Sequence, residues 1–280
     1  MNQLPFVQVD VFTSRPFRGN PLAVILNADR LTQEEMQGIA HWTNLSETAF
    51  ICSSTIADYR LRIFTPEREL PFAGHPTIGS AHAVREGGIL SKKRTDFTQE
   101  CGAGVIPLRV DKEGNIYARV PRPKLLDIQI ELKELSQAIP ANNIIEPISI
   151  DVGPIWLVAR LETPELVNSL QVNFSELTTL SNAAGIVGVT VYGFNQDGTI
   201  QVRSFAPVLG VNEDPVCGSG NAAVAAHIKA TNQREYVGDT YTAYQGEALG
   251  RNGKVKVCFE GDDILIGGTA ITVINGNISP

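Results

Sequence analysis

The stretch Arg62-Ile63-Phe64-Thr65-Pro66 recurs 141 positions later (203 minus 62) as Arg203-Ser204-Phe205-Ala206-Pro207. Each copy is followed by a glycine-containing turn, Ala73-Gly74-His75-Pro76 in the first and Cys217-Gly218-Ser219-Gly220 in the second. The offset is close to half of the 280 residues. Internal similarity at this period predicts a chain built from two similar halves.

The segments upstream of this repeat match more weakly, with 9–11 paralleling 150–152 at the same offset. Both halves are predicted to run strand, strand, helix, strand, strand, turn, helix and then further strands. The first helix has clear boundary signals. Thr32 followed three residues later by Glu35 is a capping box, and Asn44 ends the helix. The run 45–51, which contains Glu47, is expected to be a strand.

A helical run of small residues follows each turn, at 77–86 and 221–230. A helix that is small and apolar on nearly all faces is usually buried on all sides. Pro76 is expected at the first position of its helix. The predicted fold class is therefore α+β: two pseudo-symmetric halves, each a curved β-sheet or barrel wrapped around a buried central helix, with the active-site cleft between them.

The expected domain boundaries follow from this arrangement. The N-terminal half spans 1–118, with a C-terminal strand at about 268–280, and carries Glu47 and His75. The C-terminal half spans 119–267 and carries Asp214 and Ser219. A chain of 280 residues buries enough surface to hold a core without a metal or disulfide.

Composition excludes several classes of protein. The net charge of −7 argues against a general nucleic-acid binder, because such proteins need a basic surface. The four cysteines, at positions 52, 101, 217 and 258, are all more than ten residues apart, so no zinc knuckle or redox pair is expected. No run reaches the length of a membrane helix, and residues 1–5 lack the basic start of a secretory signal. The expectation is a cytoplasmic protein without a membrane partner.

The two glycine turns are the first candidate site. A helix start presents unpaired backbone N–H groups, reinforced by the helix dipole, and so favours an anion. Gly74 and Gly218 allow close approach of a ligand to the backbone. If both helices point at one cleft, they predict a small-molecule substrate with a carboxylate. The structural alternative is that these glycines serve only helix packing. Neither turn carries a dinucleotide or Walker fingerprint, so no bound nucleotide is expected at them.

Three ionisable residues stand near these turns. Glu47 is a carboxylate in an otherwise apolar run, and an exposed strand position is its structural alternative. Asp214 directly precedes the second turn and could simply cap it. His75 opens the first buried helix, where it could be a cap or a satisfied core histidine.

Five motifs, read in order, carry a resemblance to a known family. They are 20–24 (NPLAV), 45–50 (LSETAF), 62–66 (RIFTP), 74–79 (GHPTIG) and 213–219 (EDPVCGS). Together they resemble the phenazine-biosynthesis PhzF-like family, within the diaminopimelate-epimerase-like fold. The resemblance covers essentially the whole chain, and its motifs are specific for the family but not for a substrate.

The resemblance implies an isomerase that needs no cofactor or metal and forms a homodimer. The family's phenazine enzyme isomerises trans-2,3-dihydro-3-hydroxyanthranilate by moving a proton between ring carbons. By this resemblance the site residues are Glu47, His75 and Asp214 as catalytic groups, with Gly74, Cys217, Gly218 and Ser219 binding the substrate. The function so implied is a proton-shift isomerase of a small carboxylate, with Glu47 as the shuttling acid and base.

The sequence departs from related enzymes at the residue before each turn. Related racemases and epimerases carry a cysteine at both places and use them as opposing bases, whereas here the residues are Ala73 and Cys217. Without a cysteine pair, a one-carboxylate proton shift is favoured over stereoinversion. Two alternatives stay open: an epimerase that uses Glu47 and a low-pKa Cys217 thiolate as opposing bases, and a non-catalytic binding protein on the same scaffold.

Overall fold

The computed structural model describes residues 3–141 and 143–280; residues 1 and 2, which entered the expectation about the N-terminus, lie outside them. The chain splits into two compact units. Unit 1 comprises Met1–Arg119 with Gly267–Pro280, and unit 2 comprises Val120–Ile266. Within the described part of the chain, every helix is too short or too polar to cross a membrane.

The described residues of unit 1 form two helices and nine strands. In chain order they are β1 (Leu4–Val11), β2 (Asn20–Ile25), α1 (Gln33–Thr43), β3 (Thr48–Cys52), β4 (Tyr59–Phe64), β5 (Glu69–Leu70), α2 (Gly74–Glu86), β6 (Asp96–Cys101), β7 (Gly104–Val110), β8 (Ile116–Arg119) and, from the end of the chain, β18 (Ala270–Ile278). The C-terminal strand β18 pairs antiparallel with β1, which pairs antiparallel with β2. Strand β2 is parallel to β3, β3 antiparallel to β4, and β4 parallel to β6. Strands β6, β7 and β8 form an antiparallel meander.

The predicted capping of α1 is confirmed. Thr32 accepts a hydrogen bond from the Glu35 backbone while the Glu35 side chain reaches back to the Thr32 backbone, which completes the capping box. Asn44 adopts the left-handed conformation at the C-cap. Because both ends are fixed locally, the chain that leaves α1 is directed toward β3 and carries Glu47 with it.

Helix α2 is buried along most of its length. It contacts β1, β2, β3, β4, β8 and β18 of its own unit. A Cβ at Gly79 would lie 2.6 Å from Leu22 and 2.8 Å from Val11, so glycine lets the helix lie directly against the strands. The expectation that Pro76 occupies the first helical position is wrong, since the helix begins at Gly74. Proline is tolerated at the third position because the first-turn N–H groups have no intrahelical partner.

In unit 2 the part of the chain that the structure describes forms four helices and nine strands, the last of which ends beyond the unit boundary. In chain order they are β9 (Lys124–Leu126), α3 (Leu132–Ala138), β10 (Ile144–Asp151), β11 (Ile155–Leu161), α4 (Pro164–Ser169), α5 (Phe174–Ala184), β12 (Gly188–Phe194), β13 (Ile200–Ala206), β14 (Val211–Asp214), α6 (Gly218–Ala230), β15 (Thr240–Gln245), β16 (Gly253–Glu260) and β17 (Asp263–Gly268). Short 3₁₀ turns lie at Pro207–Leu209, Arg234–Tyr236 and Glu247–Leu249. Strand β10 is antiparallel to β11, β11 parallel to β12, β12 antiparallel to β13, and β13 parallel to β15. This alternation repeats the one that links β1, β2, β3, β4 and β6 in unit 1.

Helix α6 is the buried helix of unit 2. It contacts β10, β11, β12 and β16 and starts at Gly218, so the second glycine turn is its first turn. Helices α3 and α4 were not expected from the sequence. Both are short, of seven and six residues, and α3 packs on α5 in an apolar cluster around Leu135 and Leu177. Tertiary packing rather than a long apolar period stabilises helices of this length.

The two arginines of the repeat make the same interaction in their respective units. Arg62 donates from Nε and Nη2 to both carboxylate oxygens of Glu69, each at 2.7 Å. Arg203 makes the equivalent paired bonds to Glu213, at 2.9 and 2.8 Å. Such a fork is the preferred geometry between a guanidinium and a carboxylate. Each pair ties its central strand, β4 or β13, to the segment that leads into the buried helix.

Candidate functional site

Glu47 lies immediately before strand β3, not within a strand. The expectation of a strand over 45–51 is therefore wrong at its start, because β3 begins at Thr48. Thr48 pairs with Ala23 of β2 and with Phe64 of β4, and its hydroxyl lies 2.9 Å from that of Thr43. The end of β3 is thus fixed on both sides. A side chain at this rigid end is held in place better than one on a free loop.

The Glu47 carboxyl is largely removed from water. Only 17% of its side chain is exposed. Its Oε2 atom is buried and has no hydrogen-bond partner among the residues that the structure describes. Burial raises the pKa of Glu47 to about 6, against a smaller opposing effect of the Ser46 side chain. Near neutral pH such a carboxyl is populated in both protonation states, as a group that takes up and returns a proton requires.

His75 is the partner that faces this carboxyl. It is the second residue of α2, and only 4% of it is exposed. Its Nε2 atom lies 3.6 Å from Glu47 Oε2, which is slightly longer than a hydrogen bond. The structure thus brings Glu47, His75 and Gly74 together at one point, where the end of β3 meets the start of α2.

The first turn of α2 has no side-chain cap. The N-cap residue is Ala73, whose side chain offers no acceptor for the helix N–H groups. Its carbonyl accepts from both the backbone and the hydroxyl of Thr77, at 3.2 and 2.9 Å. Thr77 in turn accepts from Gln99 at 3.2 Å. The bonds to the Ala73 carbonyl therefore stabilise the start of the helix. The backbone N–H groups of its first turn form the kind of surface that binds anions.

Asp214 is the last residue of β14 and precedes the second turn. One of its carboxylate oxygens accepts the backbone N–H of Val216 at 3.0 Å, which is the turn-capping role named as its structural alternative. Ser204 of β13 is its partner across the strands.

Cys217 is the N-cap of α6. Its Sγ accepts the backbone N–H of Gly220 at 3.2 Å and lies 3.5 Å from the Ser219 hydroxyl. Ser219 also accepts from the indole N–H of Trp156 at 3.1 Å. Burial raises the pKa of the Cys217 thiol well above its usual range, and the nearby Asp214 charge adds to this. The expectation of a low-pKa thiolate is therefore wrong, because desolvation outweighs the effect of the helix start.

Two buried amides in unit 2 were not identified from the sequence. Asn221 and Gln245 are 0% and 1% exposed, and both bond to the turn that starts α6. Asn221 belongs to the Gly218-Ser219-Gly220-Asn221 run, which could have drawn attention to it. Gln245 stands at the end of an ordinary strand and carries no sequence signal. Across the described ranges 3–141 and 143–280, no three His, Cys, Asp or Glu side chains cluster as metal ligands would.

The predicted site residues thus form two groups, each within its own unit. Glu47, Gly74 and His75 meet in unit 1, whereas Asp214, Cys217, Gly218 and Ser219 surround the start of α6 in unit 2. Each group stands at the first turn of a buried helix. The cleft between the halves, which would join the groups, stays a prediction.

Known proteins that resemble this chain point to one family. The family model described as PhzC-PhzF, phenazine biosynthesis-like protein, matches residues 9–276. The chain is 43% identical to the Antisense-enhancing sequence 1 protein of Schizosaccharomyces pombe, covering 99% of both chains. It is 33% identical to an uncharacterized isomerase of Clostridium acetobutylicum, covering 97% of this chain and 96% of that one.

The fold is similar to that of solved structures. The phenazine biosynthesis protein of the PhzF family from Bacillus anthracis superposes with a TM-score of 0.86 at 26% identity, over all of both chains. The mixed α/β architecture of this chain is thus that of a PhzF protein.

Proposed function

We propose that this chain, which belongs to the phenazine biosynthesis-like PhzC-PhzF family, is a cofactor-independent isomerase that shifts a proton within a small carboxylate-bearing substrate. Its curated relatives include proteins named isomerases, which supports this reaction class in general. The finer assignment, of one carboxyl that carries the proton, rests on the geometry at Glu47.

The observation that carries the proposal is the buried Glu47 oxygen opposite His75. Glu47 Oε2 is removed from water, lacks a hydrogen-bond partner among the described residues and lies 3.6 Å from His75 Nε2. An unpaired buried carboxylate oxygen is unfavourable for folding alone. Buried ionisable groups of this kind are often catalytic residues. The raised pKa of Glu47 suits a group that acts as both general acid and general base.

The proposed chemistry uses one carboxyl twice. The Glu47 carboxylate removes a proton from a substrate carbon, and the C–H electron pair delocalises into the adjacent unsaturated system. The Glu47 carboxylic acid, whose proton exchanges with solvent, then delivers a proton to another carbon or to nitrogen. Nothing is oxidised or reduced, so no redox partner is needed. His75 hydrogen-bonds a polar group of the substrate and tunes the carboxyl.

The helix starts are proposed to bind the substrate. Gly74 in unit 1, and Gly218 and Ser219 in unit 2, lie in first turns whose backbone N–H groups suit a carboxylate. Asp214 is proposed to hydrogen-bond a polar substrate group, with Cys217 shaping the turn.

The recurring strand order and the paired Arg62 and Arg203 interactions support pseudo-symmetric halves around α2 and α6. A homodimeric, cytoplasmic enzyme stays part of the proposal.

The epimerase alternative is less well supported. It requires Cys217 as a base opposite Glu47, but burial keeps its thiol protonated at neutral pH. Position 73 is alanine, so there is no thiol at the start of α2 either. A non-catalytic binding role would leave the buried Glu47 oxygen without a function.

The proposal is tested by proton exchange in D₂O. Small cyclic and acyclic amino and hydroxy carboxylates are incubated with the protein, and exchanged C–H positions are followed by NMR. We expect at least one substrate to exchange and isomerise, with Glu47→Gln slower by about 10²–10⁴-fold. Binding with neither exchange nor isomerisation would favour the non-catalytic alternative. Near-normal turnover by Glu47→Gln would remove Glu47 from the mechanism.

A further inference from the structure

We infer that Gln245, at the end of strand β15, is a positioning residue that fixes the geometry of the loop between Asp214 and the first turn of α6. The inference rests on the proposed function in so far as that loop binds substrate. The hydrogen bonds that Gln245 makes to Cys217, Asn221 and Asp214 join residues of unit 2.

The Gln245 side chain connects both sides of the turn. Its Oε1 accepts the backbone N–H of Cys217 at 3.1 Å, and its Nε2 donates to the Asp214 carbonyl at 3.0 Å. One planar amide therefore fixes the distance between the residue that ends β14 and the N-cap of α6. Because Gln245 is 1% exposed, water cannot replace these bonds easily.

Asn221 completes this arrangement from within the helix. Its Nδ2 donates to the same Gln245 Oε1 and to the Cys217 carbonyl, both at 2.8 Å. Gln245 and Asn221 thus hold the N–H and the carbonyl of Cys217 at the same time. A first turn fixed in this way is preorganised, which lowers the entropy cost of binding a ligand there.

Strand β15 can supply this contact because of its parallel pairing. Gln245 lies beside Val202 of β13, two residues before the Ser204 that pairs with Asp214. The backbone after Gln245 turns away at once, through Gly246 with φ at +94°. A Cβ at Gly246 would lie 2.4 Å from the Pro215 carbonyl, so the turn lies directly against the loop that Gln245 holds.

The corresponding glutamine of unit 1, Gln99, makes different hydrogen bonds from those of Gln245. Gln99 on β6 also reaches the fourth residue of its buried helix, donating to Thr77 at 3.2 Å. Its oxygen, however, accepts from the Tyr59 hydroxyl at 3.0 Å instead of from the N-cap backbone. Gln245 bonds directly to the backbone on both sides of the turn, and this is the feature that would position Asp214.

The test compares three variants of the full chain. Gln245→Met keeps the side-chain length and removes all three bonds. Gln245→Glu, studied at pH 8, keeps the acceptor oxygens for Cys217 and loses the donor to the Asp214 carbonyl. Tyr192→Phe is the matched control, because it removes buried hydrogen bonds to His227 and Gln233 in the same unit, near the other end of α6.

Amide exchange is measured by NMR on ¹⁵N-labelled protein. In Gln245→Met the protection of the Cys217 N–H should fall by about tenfold or more, while Tyr192→Phe leaves it unchanged. In Gln245→Glu this N–H should stay protected. With the substrate found in the D₂O screen, both Gln245 variants should raise KM more than they lower kcat, and Tyr192→Phe should change neither.

Unchanged protection of Cys217 in Gln245→Met would overturn the inference, as would an equal loss in Tyr192→Phe. Lost protection with wild-type KM would show that the loop need not be fixed to bind substrate, and would also overturn it. If the wild type exchanges no carboxylate, the proposed function fails. Amide exchange then still decides whether Gln245 fixes the turn.

Discussion

The Glu47 carboxylate and the His75 imidazole face each other across 3.6 Å at the start of α2. The two residues are 28 positions apart in sequence, and strands β3, β4 and β5 lie between them. Both side chains are largely buried, so the field between them is only weakly screened by solvent. A substrate atom that approaches Glu47 Oε2 would therefore meet a proton carrier and a hydrogen-bonding ring together.

The pH dependence of turnover should follow the ionisation of Glu47. Removal of a substrate proton needs the carboxylate, and burial raises the pKa of Glu47 to about 6. We expect kcat/KM to rise from acid pH with a midpoint near pH 6, whereas a glutamate with the ordinary pKa of 4.5 would give a midpoint near that value. The measurement is kcat/KM against pH, with turnover followed by exchange in D₂O.

Glu67→Gln, which changes an exposed carboxylate, is the control for this profile and should leave its midpoint in place. A midpoint near 4.5, or a profile that Glu47→Gln retains at reduced height, would argue against Glu47 as the titrating base.

The same carboxyl should also lower the stability of the fold above pH 6. The pKa of Glu47 is higher in the folded chain, about 6, than the ordinary 4.5, so the folded state binds the proton more tightly. Its stabilising contribution is present below about pH 4.5 and is lost as pH rises through about 6. The shift corresponds to about 2 kcal/mol. We expect Glu47→Gln to be more stable than wild type by up to about that amount at pH 7.5.

Urea unfolding of wild type and Glu47→Gln at pH 4.5 and 7.5 measures this difference. Other titrating groups are common to both proteins, so the change of the stability difference with pH isolates Glu47. A difference that does not change between the two pH values would contradict the raised pKa.

Much of this fold could be predicted from the repeat. The capping residues Thr32, Glu35 and Asn44 predicted α1 because their signals act within a few bonds of the helix end. The Arg62 and Arg203 copies identified two matching stretches of sequence, whereas the paired bond of each arginine to a glutamate is seen only in the structure. Small residues after each glycine turn predicted two helices that are buried on most faces.

The predictions from sequence failed where contacts between residues far apart in sequence determine the structure. Helices α3 and α4 are too short to show a clear period, and their stability comes from contacts with other elements. The start of β3 depends on the pairing of Thr48 with β2 and β4, which no local pattern around Glu47 records. Gln245 reaches the α6 turn because β15 pairs in parallel with β13, and no local sequence pattern records that pairing. The pKa of Cys217 depends on burial, which the sequence around it could not give.

The two arginine pairs should differ in their contribution to stability. The Arg203 and Glu213 side chains are 9% and 7% exposed, whereas Arg62 and Glu69 are 17% and 32% exposed. Arg203→Met would leave the Glu213 charge buried without its partner and should cost about 3–5 kcal/mol. Arg62→Met should cost about 1 kcal/mol, because water reaches Glu69. Chemical unfolding of both variants measures the difference, and equal losses would show that burial does not decide it.

Two glycine substitutions should have opposite effects. A Cβ at Gly220 would lie 2.4 Å from the Ser204 hydroxyl and 2.9 Å from that of Thr190, two fully buried groups bonded to each other. We expect Gly220→Ala to destabilise the fold by about 1–3 kcal/mol through overpacking. Gly38 lies exposed in α1 with open space around its Cβ position. Gly38→Ala should stabilise by about 0.5–1 kcal/mol, and thermal unfolding of both variants checks the signs.

Cys217 should behave as a turn residue rather than as a base. Its buried thiol has a raised pKa, and its sulfur caps α6 by accepting the Gly220 N–H. Iodoacetamide should therefore react with Cys217 more slowly than with an ordinary thiol at pH 8, because only the thiolate attacks. Cys217→Ser keeps an acceptor at the N-cap, where serine is a favoured residue, and should retain turnover. Cys217→Ala removes that acceptor and should lose about 1 kcal/mol of stability. Loss of turnover in Cys217→Ser, with an unchanged melting temperature, would instead support the epimerase mechanism.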